Sequence, residues 1–328
     1  MRNLVELYSI IIDGNMVLVS SDIKTRELFF YTNQNGVLLP IDDSLRKKVE
    51  ETILQSDFTP SSEFKTLLDG AINNYRKYNS SNGYSNVNLE ANLKHVTYYC
   101  EKDDTSRPEA SYDVFNNSFR FILPEQYWNL AGFSSYLNSQ YLNLIISHEI
   151  GHMSVSDISI DSDNNYVARV GFSQMKIPVK QSFATSDGNN YYMIDKSKEI
   201  EENGGKGLEE LFNELETDIA TNNKVAPDFA FRLDTITNSK LRYARRSHSL
   251  EDYYRCMMGI IPLREQAQVL LKAIDLYYSA IGKQEKEKSN AMNDLIEQLL
   301  TMYEMENMKN DIPKQSHSEQ ESPDDGQR

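Results

Sequence analysis

The sequence predicts an α+β protein whose strands and helices are partly segregated along the chain. The first forty residues alternate like short strands around Asn and Gly turns. A helical stripe in the middle carries two histidines four residues apart, and apolar stripes at helical spacing recur from residue 228 onward. With 328 residues, of which 39% are hydrophobic, the chain is long enough for two or three compact units.

The N-terminal region, residues 1–85, is predicted to be a small β/α unit. Strands are expected at residues 4–12, 16–20, 27–32 and 37–39, and Asn35-Gly36 is a strong hairpin-turn signal. Asp42 or Asp43 can cap one helix and Ser61 or Ser62 can cap another, so we expect two helices in this region. A polar stretch at residues 79–85 is predicted to link this region to the next.

The central region, residues 86–225, contains predicted strands and the most informative motif. Strands are expected at residues 96–100, 112–115 and 118–123, the last two joined as a hairpin through Asn116-Asn117. The run His148-Glu149-Ile150-Gly151-His152 has the form HExxH and ends a helical stripe that begins near residue 134.

The HExxH motif points to metal chemistry. Residues four apart share one face of a helix, so His148 and His152 can direct two imidazoles at one ion. Glu149 lies beside the first of them, where a carboxylate can reach a metal-bound water. Gly151 is a poor helix former, which indicates a packing requirement. The alternative is a buried amphipathic helix that happens to carry two histidines.

A catalytic zinc needs a third protein ligand, and a later helix offers candidates. Residues 211–220 form a second helical stripe, on which Glu214 and Asp218 share a face and Glu210 lies one turn earlier. The other interpretation is a solvated acidic helix face, because Glu209 and Glu216 lie nearby.

HExxH followed by Asn213-Glu214-x-x-Thr217-Asp218 resembles the gluzincin zinc peptidases, the thermolysin-like group. The resemblance implies a zincin-like catalytic core with a mixed sheet and an active-site helix, and Zn²⁺ as cofactor. It implies His148, His152 and Glu214 as metal ligands, with Glu210 as the rival for the third position. It further implies that Asp218 orients a ligand histidine and that Glu149 is the general base on a zinc-bound water.

The expected reaction is hydrolysis of a peptide or protein substrate by a zinc metalloendopeptidase. Such sites usually hold a second electrophile, for which His248 is the first candidate and Tyr253 or Tyr254 the second. His248 is alternatively a surface histidine. The strand at residues 118–123 is a candidate edge for pairing with extended substrate. The rival functions are a catalytically inactive zincin-fold binding or regulatory protein, and a protein with a structural metal or none.

The segment between the two motifs, residues 153–208, is longer than a minimal connection. Strands are expected at residues 166–172 and 191–194, and Asn203-Gly204-Gly205 belongs to a flexible run before the second helix. A long segment beside an active site often shapes or covers the cleft, so this one is expected to restrict the substrates.

The C-terminal region, residues 226–309, is predicted to be helical. Its apolar stripes are either core or an interface with a protein partner. Residues 310–328 are rich in Asp, Glu, Gln, Ser and Pro and are expected to be disordered.

Composition argues against two classes of partner. The formal net charge of −15 disfavours nucleic acid, and no run approaches the roughly twenty apolar residues of a membrane span. Glu6 and Asp13 interrupt any signal-peptide pattern, and Cys100 and Cys256 match no zinc or redox spacing. We therefore expect a cytoplasmic protein, with a secreted form that has lost its leader as the alternative.

Overall fold

The chain folds into a large mixed sheet, a small three-stranded sheet and ten helices in the part that is described. The structure is a computed structural model that describes residues 1–54, 62–103, 109–124, 140–198, 200–202, 205–261 and 263–310. The strands are β1 Asn3–Ile12, β2 Asn15–Asp22, β3 Leu28–Gln34, β4 Val37–Pro40, β5 Thr97–Asp103, β6 Glu109–Asp113, β7 Ser118–Pro124, β8 Ser156–Ile160, β9 Asn165–Val170, β10 Ser173–Ala184, β11 Asn190–Ile194 and β12 Ile200–Glu202. The helices are α1 Asp43–Leu54, α2 Ser62–Ser81, α3 Val87–Lys94, α4 Gln140–Ser154, α5 Lys206–Thr221, α6 Asp228–Ile236, α7 Lys240–Arg246, α8 Leu250–Met257, α9 Arg264–Gly282 and α10 Lys286–Asn310.

The N-terminal hairpins form as the turn residues predict. Two-residue loops, Asp13-Gly14 and Asn35-Gly36, join β1 to β2 and β3 to β4, and all four residues have positive φ. Paired positive φ angles match the twist of an antiparallel hairpin, which is why Asn-Gly and Asp-Gly favour it. The four expected strands in this region are confirmed.

The large sheet joins the N-terminal strands to the strands between the two motifs. Its order is β4-β3-β2-β1-β11-β10-β9-β8, with β12 paired to β10. Strand β1 runs antiparallel to β2 and parallel to β11, with Asn3 opposite Asn190. The sheet therefore crosses the boundary that the sequence suggests at residue 85.

The small sheet has the order β5-β7-β6. The expected hairpin is confirmed, with Asp113 opposite Ser118. Strand β7 lies in the centre, parallel to β5 and antiparallel to β6. The expectation that residues 118–123 form the free edge is therefore wrong, because both sides of that strand are already paired. Strand β6 is the edge strand on the side of α4.

Two hydrophobic cores meet at helix α5. One packs α2 and α4 against the small sheet and includes the buried residues Phe64, Tyr75, Phe119, Phe121, Ile146 and Ile150. The other packs α5 against the C-terminal helices and includes Leu211, Phe212, Leu215, Leu270, Ile274 and Ile296. The apolar stripes of the C-terminal region are thus largely core.

Gly151 allows α4 to approach its neighbours closely. A Cβ at this position would overlap the side-chain oxygen of Asn213 on α5 and the hydroxyl of Tyr75 on α2. The packing reason that the sequence indicates for this glycine is therefore found in the structure.

Several expectations fall outside the described residues. These are the start of the motif helix between residues 134 and 139, Asn203-Gly204, and the tail from residue 311 onward. Among the helices that are described, none combines the length and the apolar character that crossing a membrane requires.

Candidate functional site

Two histidines of α4 and one glutamate of α5 converge on a single point. His148 Nε2 lies 3.2 Å and His152 Nε2 lies 3.5 Å from Glu210 Oε2, and the two ring nitrogens are 3.1 Å apart. His148 and His152 are one helical turn apart, so both rings leave the same face of α4. Glu210 is in the first turns of α5, which packs across that face. His148, His152 and Glu210 form a group of potential metal ligands, here termed the ligand group.

The spacing of these three atoms fits a tetrahedral metal ion. Zinc binds imidazole nitrogen and carboxylate oxygen at about 2.0–2.2 Å, so two ligand atoms of a tetrahedral site lie roughly 3.3–3.5 Å apart. The three measured separations of 3.1–3.5 Å are close to that value. Two nitrogens and one carboxylate leave a fourth tetrahedral position for water or substrate.

The electrostatics of the group favour a bound positive charge. Burial alone would lower the pKa of His152, but the carboxylates of Glu210 and Glu209 raise it to about 10. Burial likewise acts to raise the pKa of Glu210, and the two histidines outweigh it and hold that pKa low. A site that holds a proton this strongly also attracts a cation that can replace the proton.

Glu209 fixes the orientation of His152. Its Oε1 lies 3.1 Å from His152 Nδ1, the nitrogen that faces away from the ligand group. Its Oε2 accepts a hydrogen bond from the backbone N–H of Phe172 at 3.1 Å. Gly171, with φ of +52°, makes room for this carboxylate, because a Cβ there would overlap Glu209. A carboxylate on the second ring nitrogen selects the tautomer and the ring orientation that a metal needs.

Arg245 anchors Glu209 from behind. Its side chain is fully buried and donates to both carboxylate oxygens of Glu209, to Glu216 Oε2 at 2.6 Å and to Asn213 Oδ1 at 2.8 Å. Burial alone would raise the pKa of Glu209, but Arg245 and His152 together lower it to about 2. Asn213 in turn donates to the backbone carbonyl of His148 at 2.8 Å, which ties α5 to the motif helix.

The expected third ligand, Glu214, is not in the ligand group. Its carboxylate accepts a hydrogen bond from the hydroxyl of Tyr278 on α9. Burial raises the pKa of Glu214 to about 7, although Tyr278 and His148 oppose the rise. Glu210 and Glu214 are one turn apart on the same face, so both point toward the cleft. Only Glu210 lies where α5 is close enough to both histidines.

The expected role of Asp218 is also corrected. Its two carboxylate oxygens accept the backbone N–H groups of Val225 at 2.7 Å and Ala226 at 2.9 Å. Asp218 therefore fixes the turn that follows α5, while Glu209 contacts the ligand histidine. The sequence spacing does not distinguish these carboxylates, because several acidic residues follow one another along this helix.

Glu149 lies beside the ligand group, facing the edge of the small sheet. Its Oε2 accepts the backbone N–H of Tyr112 on β6 at 2.7 Å. Burial raises the pKa of Glu149, and the two histidines and this hydrogen bond partly offset the rise. One oxygen is thus held in place, which fixes the direction of the carboxylate.

None of the three expected electrophiles, His248, Tyr253 and Tyr254, faces this site. Tyr253 is fully buried, and its hydroxyl donates to the backbone carbonyl of Ala267 at 3.0 Å. His248 Nδ1 lies 3.2 Å from the carbonyl of Gly171, and its Nε2 lies 3.8 Å from Asp157. Tyr254 stacks under the guanidinium of Arg264, with 4.2 Å between that group and the ring centroid. The role expected for these residues is therefore not supported by their positions.

A cleft runs past the ligand group in two directions. One hollow of about 730 Å³ lies between α5 and α9, and its lining includes His148, Lys206, Glu210, Glu214, Lys272 and Tyr278. A second hollow of about 380 Å³ lies between α4 and strand β6, and its lining includes Ala110, Tyr141, Leu144, Ile145, His148, Glu149, Glu214 and Val225. His148 and Glu214 line both hollows, so the two hollows are adjacent.

Three residues of this site were not anticipated from the sequence. Tyr278 lies in an apolar stripe of the C-terminal region, and Arg245 lies in a run of charged residues before His248. Glu209 was counted as part of the acidic surroundings of Glu214. Local spacing carries no signal for them, because each acts through a contact between distant segments.

Comparisons of the chain with protein-family models, with curated proteins and with solved structures found no match in any of the three.

Proposed function

We propose that the chain is a zinc-dependent metallopeptidase with a zincin-like catalytic core. The observation that carries the proposal is the convergence of both HExxH histidines with Glu210, within 3.5 Å of one another, beside Glu149 and an open cleft. The proposal keeps the gluzincin pattern of an HExxH helix and a glutamate from a later helix. It moves that glutamate from Glu214 to Glu210.

Zinc fits the donor set better than harder divalent ions do. Two imidazoles and one carboxylate are typical of a catalytic zinc site, whereas magnesium and calcium prefer oxygen ligands alone. His148, His152 and Glu210 are the residues that hold the ion, and Glu209 holds the His152 ring in position. When bound, zinc acidifies water and polarises a carbonyl group.

Glu149 is the general base in this proposal. Its carboxylate lines the cleft next to His148 and is held from one side by the Tyr112 N–H. It takes a proton from the water that attacks the scissile carbonyl and passes the proton to the leaving amine. The raised pKa of Glu149 suits a group that must accept the proton and then give it up.

Tyr278 is the best-placed donor for the developing oxyanion. It lines the same hollow as His148 and Glu210, where its hydroxyl donates to Glu214. Because a phenol has a single O–H, Tyr278 donates to the oxyanion when Glu214 is protonated and donates its own proton to the Tyr278 oxygen. Burial raises the pKa of Glu214 to about 7, so this protonated form is accessible near neutral pH. Tyr278 takes the role that the sequence suggested for His248 or Tyr253.

Strand β6 is the candidate edge for an extended peptide. Among the strands that the structure describes, it pairs only with β7, and Ala110 lines the hollow that also contains Glu149. A peptide added at this edge gains backbone hydrogen bonds and lies across the ligand group.

The central test combines metal analysis with turnover of a peptide library by the parent protein and by Glu149→Gln. We expect about one zinc per chain in both proteins and cleavage by the parent, with a loss of about 10²–10⁴-fold in kcat for the variant. Equal cleavage by both proteins contradicts the role of Glu149. Bound zinc without any cleavage by the parent favours a catalytically inactive binding or regulatory protein.

A matched pair of variants tests the ligand assignment. Glu210→Ala removes a ligand and should abolish stoichiometric zinc binding, as should His152→Ala. Glu214→Ala, on the same helix face one turn away, should keep zinc. The reverse outcome, with zinc kept by Glu210→Ala and lost by Glu214→Ala, returns the third-ligand role to Glu214.

A further inference from the structure

Two lysines line the hollow between α5 and α9. Lys206 and Lys272 are both exposed, and within the described part of the chain neither has an ion pair. The chain as a whole has 49 acidic and 34 basic residues. One end of the cleft thus carries two ammonium groups without an ion pair, although the chain as a whole is acidic.

The helix geometry holds both lysines at the cleft. Lys206, Glu210 and Glu214 follow at intervals of four residues, so Lys206 shares a face with the proposed ligand. Helices α5 and α9 touch at Gly207, where an added Cβ would lie 2.7 Å from Asp275 Cα. Asp275 Oδ1 accepts the Gly207 N–H at 3.0 Å, so this carboxylate is engaged with the start of α5.

The opposite end of the cleft is apolar. Tyr141, Leu144, Ile145 and Val225 line the hollow beside β6. Tyr141 is 47% exposed and Val225 is 42% exposed, so this hollow presents apolar side chains to solvent. The two ends thus differ in chemistry, with the ligand group between them.

We propose that Lys206 and Lys272 bind a carboxylate of the peptide substrate, and that the enzyme therefore acts on acidic peptides. This deepens the proposed function and rests on it. The carboxylates in the same lining already have partners, because Glu210 contacts the two histidines, Glu214 accepts from Tyr278 and Asp275 accepts from the Gly207 N–H. The two ammonium groups are therefore the charges that remain for a ligand, and the carboxylate is the anionic group that unmodified peptides carry. The carboxylate belongs either to an Asp or Glu side chain or to the C-terminus, and the apolar end receives a large apolar side chain of the same peptide.

The test measures binding rather than turnover. Zinc-loaded Glu149→Gln protein is titrated with three fluorescein-labelled peptide pools, and fluorescence anisotropy gives the affinities. Each pool has a fixed Leu and a second fixed residue one to three positions away, on either side. The second residue is Asp with an amidated C-terminus, Asn with an amidated C-terminus, or Asn with a free C-terminal carboxylate.

We expect one carboxylate-bearing pool to bind roughly 10-fold more tightly than the neutral pool. Lys206→Met combined with Lys272→Met should remove this difference, and Lys206→Glu with Lys272→Glu should reverse it, so that the neutral pool binds more tightly than the carboxylate-bearing pools. Lys65→Met is the matched control, because Lys65 is an exposed lysine of α2 that lines neither hollow. Zinc content and thermal unfolding confirm that each variant is folded.

The outcomes separate this inference from the proposed function. Preference for the Asp pool assigns a side-chain carboxylate, and preference for the free-terminus pool assigns a C-terminal one. Lysine-dependent binding by a protein whose parent cleaves nothing supports the inference and contradicts the peptidase proposal. Equal binding of charged and neutral pools, an effect of Lys65→Met as large as that of the pair, or no binding of any pool overturns the inference.

Discussion

Helix α5 carries glutamates on two sides, and their surroundings differ between the two sides. The side that faces the protein interior carries Glu209 and Glu216, both buried and both paired with Arg245. The side that faces the cleft carries Glu210 and Glu214, both partly exposed, next to His148 and Tyr278. Of these four glutamates within eight residues, two are held by a buried arginine and two line the cleft.

This difference shows what the interior side contributes to the cleft. The guanidinium of Arg245 on α7 fixes the buried carboxylates of α5. Asn213 and Glu209, which Arg245 also contacts, in turn hydrogen-bond to His148 and His152 and so limit the movement of α5 relative to α4. Glu210 is then carried to the histidines by the position of the helix backbone. Precise ligand geometry at an open surface depends here on a closed ion-pair network one layer below it.

Removing Arg245, which holds the two buried glutamates, should have the largest effect on stability. Arg245→Met leaves Glu209 and Glu216 as buried charges without their main partner, so we expect a loss of about 3–5 kcal/mol in the free energy of unfolding, measured by urea denaturation. Arg245→Lys restores the charge without the fork and should recover part of this loss. Arg246→Met removes a more exposed arginine that pairs with Glu216 and lies over the rings of Tyr78 and Tyr84. It should cost less, because Glu216 keeps its bond to Arg245 and Glu209 is untouched. Equal effects of the two methionine variants would contradict the anchoring role.

Filling the close contact between α4 and its neighbours should have the next largest effect. Gly151→Ala places a methyl group against Asn213 and Tyr75, and we expect a loss of about 1–3 kcal/mol in thermal or urea unfolding because the core is overpacked. The control is Gly70→Ala on α2, where the added Cβ meets nothing within 4 Å. A stabilised Gly151→Ala protein would show that the helices separate easily.

Glu209→Gln tests whether the interior side acts on the metal. The substitution keeps the shape of the side chain but weakens its hold on the His152 Nδ1–H, so zinc affinity should fall by about 10–100-fold. Competition with a chromogenic chelator measures the affinity, and the absorption spectrum of the cobalt-substituted protein reports on the ligand geometry. Unchanged affinity together with an unchanged spectrum would limit Glu209 to a structural role.

Glu214→Gln should have the smallest effect. Glutamine can still accept the hydrogen bond from Tyr278, and the residue is outside the ligand group, so zinc affinity should stay within about twofold of the parent. The same chelator competition serves here. A loss as large as that of Glu209→Gln would remove the distinction between the two sides of α5.

Local patterns in the sequence predicted much of the fold. Asn35-Gly36 and Asp13-Gly14 marked two hairpins because only a few residue types accept positive φ at both positions. Ser249 is of a residue type that favours helix starts, and it caps α8, where its hydroxyl accepts the N–H of Asp252. The order of strands in the sheets was not predictable in this way, because pairing partners such as β1 and β11 are distant along the chain.

In the candidate site, too, local spacing predicted some residues, whereas others depend on contacts between distant segments. His148, Glu149 and His152 belong to one helical turn, so their spacing alone was enough to bring them together. Glu210 was recognised only as a rival to Glu214, because periodicity gives the face of a helix but not its displacement along a neighbouring helix. A shift of one turn, about 5.4 Å, decides which glutamate reaches the histidines.

The parallel pairing of β1 with β11 also governs the order in which the protein assembles. Asn3 meets Asn190 across this pair, so β1 gains its second neighbour only after the chain has been synthesised as far as β11. Contacts this distant close slowly, because a long loop loses entropy before any pairing is gained. During synthesis the N-terminal hairpins therefore expose an unpaired edge, and a nascent chain halted before residue 190 should be prone to aggregate through it.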